Sequence, residues 1–213
     1  MPEEILDASG YRGVADRMLT PESEAELMQV VAEAVKDRIP LTVGGGWTSV
    51  TGGSVPADGG WVISMRRFAH IEIHPGYALV GAGVLLKDLH QAAADARQFY
   101  APDPTETSAS IGGTIATNAS GSRSFKYGDT RRHVLALKVC HLDGRTVWYE
   151  RGTPIDFDVE PLPLPATAKH SAGYRLAPGM DYVDLFVGSE GTLGIFTEAK
   201  VRLLPARDRK SVV

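Results

Sequence analysis

The chain has 213 residues, a formal net charge of −4, and 43% hydrophobic and 23% charged residues, which allows one sizeable core or two small ones. That balance offers no basic field to draw in nucleic acid or an anionic membrane surface. A single cysteine, Cys140, excludes an intrachain disulfide and a thiolate metal cage, and fits a reducing compartment.

The start "MPEEILDASGYRG" is acidic and has no basic segment followed by an apolar run. No uninterrupted apolar stretch approaches the roughly 18 residues of a membrane span. A cytoplasmic protein without a membrane span is the expectation. Thr20 and Pro21 read as N-cap and first helical position, with Glu22, Glu24 and Glu26 near the positive end of the dipole. Leu27, Val30, Val31, Ala34 and Val35 then form one apolar face of a helix ending near Asp37, because Pro40 disfavours the α region at Ile39. "PLTV" reads as a strand leading into the glycine loop "GGGWTSVTGG".

"WVISM", "HIEIH" and "YALVGAGV" follow as strands. A doubly wound dinucleotide fold needs its glycine loop to open a helix, whereas this loop is followed by another strand. "LLKDLHQAAADARQ" reads as the second helix, with Leu85, Leu89, Ala92 and Ala96 along one side. Residues 101–132 have neither helical nor alternating periodicity and read as one long irregular, functional segment. "VLALKVCHL" and "RTVWYE" form a hairpin across the two-residue turn Asp143-Gly144. Residues 151–180, with their prolines, read as a surface excursion. "DLFVGSEGTLGIFTEAKVRLLP" gives a short apolar element, a glycine-rich turn and a closing strand.

Gly44 to Gly53, Gly112 to Gly121 and Gly188 to Gly194 share one chemistry. Glycine permits positive φ and close approach, so successive N–H groups can converge on an anion. Thr48, Ser49, Thr51, Ser110, Thr114, Thr117, Ser120 and Ser189 would add hydroxyl donors. Each segment alone reads equally well as a tight turn. Three in one chain, each beside an expected strand, point to a polar ligand of dinucleotide size.

"GGGWTSVTGG", "PDPTETSASIGGTIATNASGSRSFKYGDTRRHVLALKVCHLDGR" and "AGYRL…DLFVGSEGTLGIFTEAKVRLLP" together resemble the FAD-binding domain of the vanillyl-alcohol oxidase and p-cresol methylhydroxylase flavoprotein superfamily. They look most like its glycolate oxidase and D-lactate dehydrogenase branch, from about Val14 to Pro205. The resemblance implies an α+β fold of the PCMH type, two subdomains without the cap domain, expected at residues 1–100 and 101–213. It implies FAD between them, with Val43, Gly44, Gly45, Gly46, Trp47, Thr48, Ser49, Val50 and Gly52 as the pyrophosphate loop. Pro102, Asp103, Pro104, Ser110, Ile111, Gly112, Gly113, Thr117, Asn118, Ser120 and Gly121 match the stretch lining the isoalloxazine and the rest of the cofactor. Glu190, Gly191, Gly194 and Ile195 match the closing loop at the nucleotide portion.

Two departures qualify the resemblance. One alignment puts Trp47 in place of a family glycine and Gly44 where arginine often stands; another keeps the glycine triplet and makes Trp47 an insertion. A positive φ at Trp47 would cost about 1–2 kcal/mol. Thr48 stands where some relatives attach flavin through histidine, so non-covalent FAD is expected. The second departure is at "ARDRKSVV", where the family continues into a cap domain that makes most substrate contacts. A separate cofactor domain, a truncated product and a subunit capped by a partner are the alternatives.

The six histidines lack metal-ligand spacing, so no metal is expected; His70 and His74 read as strand ends facing water, and His133 is the one nearest the flavin segment. Cys140 reads as a small core residue. Lys126, Tyr127, Gly128, Arg131 and Arg132 form a basic cluster that would take a substrate carboxylate or a flavin oxygen, or else a solvated turn. "KHSAGY", Lys169 to Tyr174, matches a family segment of uncertain role. No hydrolase nucleophile appears, and no catalytic residue is identifiable. The leading expectation is an FAD-dependent oxidoreductase acting on a small hydroxy acid such as glycolate or D-lactate. A cofactor module without turnover, and a non-redox enzyme of the alkylglycerone-phosphate synthase type, are the alternatives.

Overall fold

A computed structural model describes residues 2–167, 170–171 and 173–206. The fold is α+β. An N-terminal hairpin pairs β1 (Glu3–Leu6) with β2 (Arg12–Ala15). A three-stranded parallel sheet has the order β3-β5-β4, from β3 (Arg17–Leu19), β4 (Leu41–Gly44) and β5 (Trp61–Ser64). Helix α1 (Glu24–Asp37) joins β3 to β4, and the glycine loop joins β4 to its neighbour β5 without a helix, which excludes the doubly wound arrangement.

The larger, antiparallel sheet runs β10-β9-β11-β7-β6. Its strands are β6 (Ile71–His74), β7 (Tyr77–Gly81), β9 (Val134–Cys140), β10 (Thr146–Glu150) and β11 (Ile195–Pro205). The short β8 (Gln98–Tyr100) pairs with the end of β11 at Leu203–Pro205. Strands β6, β7 and β8, all from residues below 101, therefore share a sheet with β9, β10 and β11. Helices α2 (Leu86–Asp95), α3 (Ile111–Ala116) and α5 (Tyr182–Phe186) contribute to its core with Leu86, Leu89, Ile111, Ile115, Val183 and Phe186. Among the described residues there is no cap domain and no helix long and apolar enough to cross a membrane.

Helix α1 starts three residues later than Thr20-Pro21 suggests. Ser23 is its N-cap, its hydroxyl accepting from Glu26 N–H at 3.2 Å while the Glu26 carboxylate accepts from Glu22 N–H at 2.8 Å, so a side-chain capping pair outweighs the Thr-Pro signal. Arg38, left-handed at φ 55°, closes it two residues before Pro40. Its buried stripe is Leu27, Val31 and Ala34, of which Leu27 and Val31 pack with Ile63, Cys140 and Ile195 from both sheets and with Met65 just past β5. Glu24 reaches the larger sheet as well, 2.6 Å from Lys138 Nζ and accepting from Thr197 Oγ at 3.1 Å. Cys140 is a buried core residue as expected, its thiol pushed up by desolvation.

Helix α2 is shorter than its sequence pattern, and its buried face is Leu86, Leu89 and Ala93. Leu85 is instead the extended residue before it, bridged to Ser110. The expected irregular stretch 101–132 holds α3, a helical turn α4 (Ser124–Tyr127) and the start of a 3-10 turn at Thr130–His133. Glycines in "IGGTIA" mask the helical signal there, while Ile111 and Ile115, one turn apart, supply the burial that fixes it. The hairpin turn has three residues, Leu142 to Gly144: His141 N–H donates to Arg145 O at 2.9 Å, and Gly144 sits at φ 81°. Residues 151–180 carry no helix or strand among the described residues, and a bridge from Pro154 to Asp181 ties off their ends.

Candidate functional site

The three glycine-rich segments meet at one cleft of about 510 Å3. Of the sequence-expected residues, Val43 to Val50, Pro104, Ser110, Gly112, Gly113, Thr117, Ser120, Glu190, Gly191 and Gly194 line it. Gly52, Pro102, Asp103, Ile111, Asn118, Gly121 and Ile195 do not. Ile111 and Ile195 are core residues. Asn118 faces a neighbouring pocket, and Gly121 serves packing, since a β-carbon there would overlap the Asp103 carbonyl and lie 2.7 Å from Pro104 N.

The first loop leaves β4 with Gly44, Gly45 and Gly46 pressed against other atoms. A β-carbon on Gly44 would overlap the Trp47 ring, with Cζ3 at 2.7 Å. One on Gly46 would lie 2.5 Å from Ser108 O, and one on Gly45 would overlap Ser110 Oγ. Trp47 has φ 58°, which bends the chain so that its indole folds back over Gly44 and packs against the cluster of Ile5, Ala15 and Val62. The N–H groups of residues 45–50 donate to no acceptor among the described residues. A run of free N–H groups around a left-handed residue is an anion-binding nest, and the glycines let a bulky oxyanion approach it. The donor set therefore fits the diphosphate of a dinucleotide without lysine.

In the second segment Ser110 caps α3, accepting from Gly113 N–H at 3.2 Å. Gly112 faces Ala82, 2.8 Å from where its β-carbon would be, which brings α3 onto the end of β7. Several hydroxyls read as ligand donors are already engaged. Thr114 and Thr117 donate to Ile111 O and Gly113 O, both at 2.9 Å, while Ser49 and Thr51 lie 3.0 Å from each other. Ser189 Oγ is buried without a partner and stands outside the cleft lining.

The third segment is fixed to α3 by two backbone bonds, Gly188 N–H to Ile115 O at 3.0 Å and Glu190 N–H to Ala116 O at 2.8 Å. Glu190 is left-handed at φ 51°. Its carboxylate reaches across to the first loop, 3.1 Å from the position of a β-carbon on Gly53. Sequence reasoning did not mark Met65, Ala82 and Phe196, which form an apolar wall, nor Thr105 and Glu106. Met65, Ala82 and Phe196 lie at or just past strand ends and carry no local signal. The Glu106 carboxyl is held low by hydrogen bonds from the Ser108 hydroxyl and N–H, which shapes the loop against Gly46.

His133 is buried, with Nε2 3.0 Å from Tyr127 O, and desolvation lowers its pKa. It does not line the cleft. His70 pairs with Glu198 at 3.1 Å and His74 stacks on Tyr77. No group of three metal-ligating side chains is present among the described residues. Lys126, Gly128, Arg131 and Arg132 line a separate pocket, whereas Tyr127 does not. Of the "KHSAGY" segment, Lys169 and Ala172 lie outside the described residues.

Residues 15–150 match the family model described as the FAD binding domain. The chain is 35% identical over 190 residues to D-lactate dehydrogenase of Archaeoglobus fulgidus, covering 88% of this chain and 38% of that protein. It is 33% identical to the glycolate oxidase subunit GlcD of Bacillus subtilis, covering 95% and 40%. The chain thus spans about two fifths of the length of these relatives. Alkyldihydroxyacetonephosphate synthase, at 24% identity, shares the fold with a TM-score of 0.68 over 88% of this chain and 34% of that one. The match covers more than half of the chain, and the glycine-rich cleft offers the donors a diphosphate needs: the chain belongs to the FAD binding domain family, and its cofactor is FAD.

Proposed function

We propose that the chain is the FAD-binding part of a flavin-dependent oxidoreductase that oxidises a small 2-hydroxy acid such as glycolate or D-lactate. The observation that carries the cofactor's placement is the convergence of the three glycine-rich segments on one cleft. Residues 45–50 hold the diphosphate, the 104–120 stretch lies along the isoalloxazine, and Glu190 to Gly194 close over the nucleotide end. The left-handed backbone at Trp47 supports the alignment in which it replaces a family glycine. Thr48 offers no nucleophile of histidine's kind, so the flavin is held non-covalently. When bound, FAD accepts hydride from the substrate carbon.

The names of the relatives support the substrate class. A cap domain or partner subunit completes the substrate site, and the protein works in the cytoplasm. The pairing of β6, β7 and β8 into the larger sheet supports a division between the subdomains at β5 to β6 rather than at residue 100. The purified chain should be yellow or take up added FAD, and its colour should leave with denaturation. With the cap present, glycolate or D-lactate should bleach it anaerobically. A colourless chain that rejects FAD refutes the placement; a yellow, capped protein that neither acid bleaches refutes the substrate class.

A further inference from the structure

A second pocket, of about 270 Å3, lies beside the cofactor cleft and shares only Ser171 with its lining among the described residues. Its walls carry Lys126, Arg131, Arg132 and Arg175 against one carboxylate, Asp129. That carboxylate already accepts from Asn118 Nδ2 at 3.0 Å, and Arg131 is paired with Asp184 at 3.6 Å. Among the described residues Lys126, Arg132 and Arg175 have no acidic partner within ion-pair distance.

The loop is built to present these cations. Gly128 has φ 90°, and a β-carbon on it would overlap Arg132 Cδ, with Cγ at 3.1 Å. Glycine is thus what lets the Arg132 side chain lie across the turn. The Lys126 ammonium rests 5.3 Å from the Tyr127 ring centroid. Arg131 is 5% exposed and donates through both terminal nitrogens to Asp184 O and Val187 O, which anchors the loop to α5. Desolvation lowers its pKa, opposed by Asp184 and Asp129, and the nearby Arg175 adds to the lowering. His170 lines the same pocket with Nδ1 buried and unpartnered. Converging cations without counter-ions are relieved by an anion with several oxygens.

We propose that this pocket is a second ligand site, taking a small multivalent oxyanion, a carboxylate or phosphate compound, on Lys126, Arg132 and Arg175. The site stands apart from the hydroxy-acid reading, because these side chains do not line the cofactor cleft.

The test is calorimetric titration of the FAD-loaded chain with malonate, inorganic phosphate and acetate, at an ionic strength fixed with sodium chloride. One saturable site for malonate or phosphate is expected, with acetate at least about tenfold weaker. The tighter of the first two identifies the oxyanion. The double variant Arg132→Met/Arg175→Met and the single variant Lys126→Met should each lose about tenfold in anion affinity and keep FAD uptake and thermal unfolding unchanged. Heats no larger than those of added chloride, or unchanged affinity in folded variants, overturn the proposal. So does a parallel loss of FAD uptake, which would assign the cations to the cofactor. Should the wild-type chain take up no FAD, the cofactor placement fails on its own, and the same titrations of the FAD-free chain decide this site.

Discussion

The Trp47 indole lies on the α-carbon of Gly44, in the same loop and three residues away. The bulkiest side chain of the segment thus fills the space that its most permissive residue leaves open, and each position constrains the other. Gly44→Ala should push the indole off its seat and reshape the free N–H run, lowering FAD affinity by at least about tenfold, as read by flavin fluorescence titration. Trp47→Gly removes about 1–2 kcal/mol of left-handed strain and also the packing on Ile5, Ala15 and Val62. Its FAD-free stability in urea should fall by about 1–2 kcal/mol net. An undiminished FAD affinity in both variants would show that the loop's path does not matter to the cofactor.

Gly121 tests a different assignment. Its α-carbon abuts the Asp103 and Pro104 backbone, so Gly121→Ala forces two loops apart. A stability loss of about 1–3 kcal/mol is expected, measured by chemical denaturation in the absence of FAD. A change confined to FAD affinity, with stability intact, would return Gly121 to the cofactor-contacting residues.

The ion pair of Glu24 and Lys138, with Thr197 as a second donor to the same oxygen, fastens α1 to the larger sheet. Glu24→Gln and Lys138→Met should each cost about 1 kcal/mol. The double-mutant cycle should return a coupling of about 0.5–1 kcal/mol, weakening with salt. A cycle with no coupling would mean that α1 is held by Leu27 and Val31 alone.

Burial lowers the pKa of His90, His133 and His141 from 6.5. The unfolded chain then binds more protons than the fold as pH drops below 6.5, so stability should be greatest above that value and decline between it and the lowered folded values. For His133, 3% exposed, the slope is at most about 1.4 kcal/mol per pH unit, with solvent screening reducing it. Urea midpoints from pH 7.5 to 5 should fall, and less steeply in His133→Gln. A flat profile would mean that these imidazoles take up protons in the fold as readily as in the unfolded chain.

The α+β class, α1, and strands β4 to β7, β9, β10 and β11 were legible because each carries an apolar period or a turn residue. The strands β1, β2, β3 and β8 were not: they are as short as β4, β5 and β6 but each carries only one adjacent apolar pair, Ile5-Leu6, Val14-Ala15, Met18-Leu19 and Phe99-Tyr100, and they depend on their partners. Helix α3 was hidden by its own glycines, which serve contacts with Ser110 and Ala82 rather than propensity. For the cleft, glycine-rich loops announced themselves, whereas Met65 and Phe196 look like any core residue in sequence. Ile111, Asn118, Gly121 and Ile195 belong to the same motifs as the lining residues but turn inward or aside, and a motif does not say which of its side chains face the ligand.

Strand β11 lies between β9 and β7, and its end also pairs with β8. The hairpins β6-β7 and β9-β10 are local and can form as they are synthesised, but nothing joins them edge to edge until residues 195–205 have left the ribosome. Until then two apolar sheet edges stay open, and the emerging chain is exposed to mispairing. The same order of events delays the closing loop at Glu190, so a nascent chain would acquire its cofactor late. Its long-range pairings also favour slow folding, during which a chaperone or an excess of flavin would do most for yield.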